Sequence, residues 1–220
     1  MRANADPPAK PPPGTVQRRQ VDRVRDMRDR LVAATVGCLD ELGYAGASIS
    51  AIQQAAGVSR GAILHHFPSR QALIAATAAS LLEAAIRPIR ENLEGKRPLP
   101  KSIADFLSFH WRRVVDTREG RAFVEILVAC RTDRPLEAEL SKLFADWDAE
   151  IAEFAQKSFR ATGPAADDPA LLWSIGRAFL RGLLIHARFV DDPAYLKRMV
   201  ERFGELLASQ LTLQTRTNAL

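Results

Sequence analysis

Residues 48–67 read Ser48-Ile-Ser-Ala-Ile-Gln-Gln-Ala-Ala-Gly-Val-Ser-Arg-Gly-Ala-Ile-Leu-His-His-Phe67, which spells two short helices joined by a tight turn. Ser48 is placed to cap a first short helix. Ile49, Ile52 and Ala56 fall on one face of it. Gly57 follows, where a helix end favours a left-handed residue without a Cβ. Val58 plugs the corner, and Ser59 is placed to cap a second helix, Arg60 to Phe67, with Ile63 and Phe67 on its inner face. Helix, glycine turn, helix holds one short helix clear of the body of a protein. The outward face carries Arg60, Ala62, His65 and His66 and no acid, which suits the acidic major groove of DNA.

Residues 25–85 resemble the TetR family of bacterial transcriptional regulators. Leu31-Val32-Ala33-Ala34, Leu39 and Gly43-Tyr44 are similar to that family's first helix and its glycine stop. Ile52, Ala56-Gly57-Val58-Ser59, Gly61, His66-Phe67 and Leu73 sit where the family has its helix-turn-helix signature. Three positions depart from the pattern. Gln53 stands where alanine is usual, Leu64 replaces a frequent tyrosine that touches phosphate, and Arg70 replaces a lysine.

The resemblance implies an all-α chain with a three-helix DNA-binding domain followed by a larger helical domain that binds an effector and dimerises. The boundaries expected are a disordered Pro-rich basic tail at 1–20, the DNA-binding domain at 21–75, and the effector and dimerisation domain at 76–220. The expected function is a repressor released from a palindromic operator in double-stranded DNA by a small-molecule effector of unknown class. No enzymatic activity, cofactor or metal is expected, and the location expected is the cytoplasm.

Charge agrees with that order. Residues 1–70 carry 10 Lys/Arg against 6 Asp/Glu, and residues 71–220 carry 21 against 20. The surplus sits with the helix-turn-helix, as a phosphate-binding module requires. The DNA contacts expected are Ser48, Ser59, Arg60, Gly61, Ala62, His65, His66 and Arg70. Arg60 can reach a guanine edge or a phosphate, and Ala62 a thymine methyl. Ser48 and Ser59 can offer hydroxyls and helix N-terminal N–H groups to phosphates. His65, His66 and Arg70 are expected on the backbone.

Beyond the motif, the apolar period stays helical. Val24, Met27, Leu31, Ala34, Cys38 and Leu42 recur at threes and fours, from a start near Val21, until Gly43. Ser69 opens a long helix from Arg70 to about Glu94, which Pro88 is expected to kink. Helices follow at about 101–117, 121–131, 135–160, 170–190 and 193–215. No strand-like alternation is evident. No run of 18 apolar residues occurs, so no membrane span is expected. Cys38 and Cys130 form no Cys-x-x-Cys pair and read as buried thiols of a reducing compartment.

In the last two helices Leu172, Ile175, Phe179, Leu183 and His186 line one stripe. Leu196, Met199, Val200, Phe203, Leu206, Leu207 and Leu211 line another. Gly176, Gly182 and Gly204 interrupt both helices and permit close approach. Periodicity leaves open whether these stripes face their own subunit or a second copy. The family resemblance implies a homodimer through these helices.

Candidate effector-pocket residues are Phe106, Phe109, His110, Trp111, Phe123, Glu125, Leu127, Trp147 and Trp173, aromatic and apolar walls with a few polar groups. Glu125 stands out inside Phe123-Val-Glu-Ile-Leu-Val-Ala-Cys130. It is expected either to pair with Arg112, Arg113, Arg177 or Arg181, or to face the effector.

Two other readings carry a specific prediction. Gly57-Val58-Ser59-Arg60-Gly61 matches the Gly-x-Ser-x-Gly elbow of serine hydrolases, with His186 and Asp133 as partners. That chemistry needs a strand running into the serine. An architectural DNA binder without an effector is the other, and it predicts binding without sequence preference. His65-His66 does not suit a metal, because adjacent helical residues point about 100° apart.

Overall fold

The computed structural model describes residues 13–94, 96, 100–162 and 168–214, the side chains of 13–19, 92 and 93 excepted. Helix α1, Pro13–Gly46, leads into α2, Ile49–Ala56, and α3, Arg60–His66. Next come α4, Arg70–Leu93, and α5, Ile103–His110, which continues as a π-helical turn, Trp111–Val115. Helices α6, Arg118–Ala129, and α7, Arg134–Ser158, precede a short strand β1, Phe159–Ala161. Helices α8, Pro169–His186, and α9, Pro193–Ala208, are followed by β2, Leu211–Leu213.

The architecture is all-α, with two differences from the sequence reading at its ends. Helix α1 begins at Pro13, ahead of the start expected near Val21, so part of the segment read as a tail is helical. Proline is well suited to a first helical turn, where its missing N–H costs nothing. Residues 1–12 of that expected tail lie outside the described residues. The second difference is the antiparallel pair β1–β2, in the register Phe159↔Leu213, Arg160↔Thr212 and Ala161↔Leu211. Three residues per strand are too few for alternation to announce them.

Two apolar cores follow each other along the molecule. The first gathers Leu31, Leu39, Ile52, Ile63, Phe67, Leu73 and Ile74 with Ala122 and Ile126 of α6 and Leu136 and Leu140 of α7. The second gathers Ile86, Phe106, Leu107, Phe154, Phe159, Trp173, Leu180, Leu183, Val200 and Leu207. Helix α4 belongs to both. Its stretch Arg70–Glu91 is long and apolar enough by composition to cross a membrane, which the sequence reading had not expected. Here its apolar residues Leu73, Ile74, Leu81, Leu82, Ile86 and Ile89 are buried in the protein. The helix runs through Pro88, which deprives the Ala84 carbonyl of its usual N–H donor.

Two of the three glycines in the last helices, Gly176 and Gly204, serve the subunit itself. A Cβ on Gly204 would lie 2.8 Å from Ala104 Cα, so α9 packs backbone-close on α5. Gly176 faces Leu207, Leu107 and Phe203, whereas Gly182 faces open space. Leu172 and Leu183, read as part of one stripe with Ile175, are buried in the second core. Ile175 and Leu206 are exposed.

Candidate DNA interface and effector cavity

The two capping serines act as their spacing requires. Ser48 Oγ accepts the N–H of Ala51 at 3.1 Å, and Ser59 Oγ accepts that of Ala62 at 3.2 Å. Gly57 closes α2 at φ 61°, ψ 42°, a left-handed conformation that costs glycine least. Ile52 and Ile63 are fully buried beneath the pair. Arg60, Gly61, Leu64 and His65 are left exposed on α3, with Ala62 and His66 half-buried beside them. The serine-hydrolase geometry is absent, because Ser59 follows a helix and caps another. Among the described residues no group of three or more His, Cys, Asp or Glu could hold a metal.

Arg70 does something the sequence did not announce. Its Nε donates to the Ala47 carbonyl at 2.8 Å, a terminal N–H donates to the Tyr44 carbonyl, and its guanidinium lies 4.0 Å over the Tyr44 ring. The cation expected on a phosphate is turned inward and ties α4 to the turn that aims α2. A second contact was missed. Arg28 donates to the His66 carbonyl at 3.0 Å and lies 4.3 Å over the Phe67 ring, bracing the end of α3. Both rest on pairings across more than twenty residues, beyond the reach of a local pattern.

Glu125 also departs from expectation. It pairs with none of Arg112, Arg113, Arg177 or Arg181 and does not line the cavity. Its Oε2 accepts the Tyr44 N–H at 3.0 Å. Gly43, at φ 68°, breaks α1 at this point, and a Cβ there would sit 3.1 Å from the same oxygen. The helix break frees an N–H that needs an acceptor, and α6 supplies it. The Tyr44 hydroxyl donates to Asp133, which also caps α7 by accepting the Leu136 N–H at 3.0 Å. The Tyr44 hydroxyl and that N–H hold the Asp133 carboxyl below the usual carboxylate range. Tyr44 thus joins α1, α4, α6 and α7.

A cavity of about 340 Å³ opens between α4, the end of α5, α6, α7 and α8. Four of the nine candidate residues line it: Phe109, His110, Phe123 and Trp147. Phe106 and Trp173 lie in the second core, their rings 5.1 Å apart, with Trp173 5.6 Å from the His110 ring. Trp111 faces a different cleft, beside α9. Leu127, like Glu125, lies outside the cavity. Adjacent residues of one helix point in different directions, and the π-helical turn shifts the face once more, so aromatic character alone could not sort them.

The cavity also holds Arg181, absent from the sequence-derived set. Burial, and then the neighbouring Arg177, lower its guanidinium to about 10. His110 is pushed down to about 3, first by burial and then by Arg181 and Arg177, so it is neutral at physiological pH.

A capped helix-turn-helix braced against a helical body defines a DNA-binding transcriptional regulator. Residues 31–77 match the profile described as bacterial regulatory proteins, tetR family. It is 28% identical over 184 residues to the HTH-type transcriptional regulator CymR of Pseudomonas putida, covering 83% of this chain and 90% of that protein. A TetR-family regulator from Rhodococcus sp. has a similar structure, with a TM-score of 0.62, 20% identity and 84% and 100% of the two chains covered. A regulator from Saccharomonospora viridis, solved in complex with choline, is similar with a TM-score of 0.61, 16% identity and coverage of 87% and 100%.

Proposed function

We propose that this regulator is a homodimeric repressor that leaves a palindromic operator when a small molecule fills the cavity between α4 and α8. The observation that carries the ligand response is the position of α6. It lines the cavity through Phe123 and Val124 and holds the DNA-reading unit through Glu125 on Tyr44. A ligand that favours another placement of α6 would change the seat of α1 and α2. It can do so only by binding that placement more tightly than the DNA-bound one.

On DNA, Arg60 reads a base edge, Ala62 lets α3 sit deep, and His65 and His66 hold the backbone. Ser48 and Ser59 present helix N-termini to phosphates. Arg70 acts behind the surface, fixing the turn before α2. The functional division at about residue 75 falls within α4, which extends from the reading unit to the cavity. Such a protein works on DNA in the bacterial cytoplasm.

Dimerisation is supported by a face that the expected stripes had not isolated. Leu171, Ile175, Ile185 and Phe189 are exposed, and with Ala178 and Gly182 they recur at fours and threes along α8 and the turn after it. That spacing is the seam of paired helices, and the open Gly182 allows close approach. Leu206 of α9 is exposed as well. Two copies joined here would present two α3 helices to half-sites about 34 Å apart. Transcription in vitro from a promoter carrying a site selected by the protein from random DNA tests the sign. The protein should reduce transcription and the ligand should restore it, and a rise on adding protein would make it an activator.

A further inference from the structure

Two arginines one helical turn apart on α8 are treated differently by the fold. Arg177 is buried and paired: both terminal nitrogens lie 3.1 Å from Asp148 Oδ1. Arg181 lines the cavity and, among the described residues, has no carboxylate within ion-pair distance and no hydrogen-bond partner. Its guanidinium lies 5.4 Å from the Phe123 ring centre and 5.5 Å from that of Trp147. Stacking of this kind occupies the faces of the cation and leaves its N–H edge available. Trp147 Nε1, on the same wall, is buried without an acceptor. Neutral His110 offers one more N–H or a lone pair.

The polar equipment of the cavity is therefore dominated by donors. The remaining charged wall residues, Arg113 and Glu119, are both exposed and opposite in sign, so the net surplus is the half-buried cation of Arg181. Around it Leu82, Val115, Phe123 and Val124 are apolar. A cation left unpaired on such a wall costs stability. A ligand carboxylate would remove that cost and take two N–H groups at once.

We propose that the cavity binds an amphipathic monocarboxylate, with its carboxylate on Arg181 and Trp147 Nε1 and its hydrocarbon body among Leu82, Phe123 and Val124. This rests on the reading of the cavity as the effector site and gives that site its ligand class. A quaternary ammonium such as choline is disfavoured, because it would meet Arg181 with like charge.

The test uses the full-length protein, with calorimetric titration and thermal melting. The probes are butanoate, octanoate and 3-phenylpropanoate, which separate chain acids from ring acids, with octanamide, octylammonium and sulfate as comparisons. At least one monocarboxylate should bind and raise Tm, with octanamide, octylammonium and sulfate at least about tenfold weaker. Arg181→Met should melt no lower than wild type without ligand and lose that binding at least about tenfold, and Arg181→Lys should fall between. Equal binding of the amide, the ammonium or sulfate overturns the proposal, as does unchanged carboxylate affinity in Arg181→Met. Binding of none of the probes overturns it too. Titration of selected operator DNA on the same sample then reports separately whether the regulator reading stands.

Discussion

Removing the Glu125 side chain should uncouple the reading unit from the helix that lines the cavity. The perturbation is Glu125→Ala, compared with Glu125→Gln. In the native protein the carboxylate accepts one bond, from Tyr44 N–H at 3.0 Å, in a half-buried setting. A hydrogen bond to a charged acceptor contributes about 1.5–3 kcal/mol, and a buried N–H left unsatisfied costs about 1–3 kcal/mol. Glu125→Ala should therefore lose about 1–3 kcal/mol, or roughly 2–10 °C in Tm for a chain of this size. Glutamine keeps an accepting oxygen and should lose only about 0.5–1.5 kcal/mol. Because no ion pair links Glu125 to the α8 arginines, Glu125→Gln and Arg181→Met should add to within about 0.5 kcal/mol. Thermal and urea melting supply the stabilities, and anisotropy supplies operator affinity, which should fall further in the alanine variant than in the glutamine one. If alanine matches wild type in both, the Glu125–Tyr44 contact does not couple α6 to the reading unit. If the double variant departs from additivity by more than about 1 kcal/mol, an ion pair exists that the structure does not show.

Other outcomes follow from single contacts. Gly120→Ala should be severely destabilising, by about 3 kcal/mol or more, because its Cβ would fall 2.0 Å from the Val115 carbonyl, which is backbone and cannot swing away; a wild-type melt would show that the π-helical turn is placed wrongly. Arg60→Ala should cost about 1–3 kcal/mol on operator and relax sequence preference. Arg70→Ala should instead lower Tm as well as DNA affinity, since it removes two carbonyl contacts and a ring contact; a loss of DNA affinity with no change in melting would return Arg70 to the phosphates. His110 is neutral in the folded protein down to about pH 3, while an unfolded histidine charges below about 6.5. The unfolded state then binds the extra proton, so stability should fall as pH drops from about 6.5, by at most about 1.4 kcal/mol per unit, and be flat in this respect above it. His110→Leu should flatten the fall between pH 6.5 and 5, and an unchanged slope would refute the assignment.

What could be read from the chain was local. The serine caps, the left-handed Gly57 and the paired apolar faces of α2 and α3 depend on neighbours within four residues, and spacing carries them. Contacts over longer separations did not show. Arg70, Arg28 and Glu125 look like surface cations and a stray acid until α1, α4 and α6 come together. The cavity was half legible. Phe109, His110, Phe123 and Trp147 line it, but Trp111 turns away. Arg181 was read only as a possible partner for Glu125, and nothing in its spacing places it on the cavity wall. The stripe on α8 mixed two faces: Leu172 and Leu183 pack inward while Ile175 looks out. Period alone fixes the spacing of a face, not which core the face joins.

The central claim, that two α3 helices of a dimer read one palindrome, is tested most directly by titrating the protein into DNA selected by it from a random pool. Anisotropy would be followed against a scrambled duplex across salt concentrations, with chain stoichiometry counted at saturation. An even number of chains per palindrome is expected. Affinity should stand at least about a thousandfold above scrambled DNA, with a steep linear fall of log affinity with log salt. One chain per site, or equal affinity for both duplexes, would contradict it.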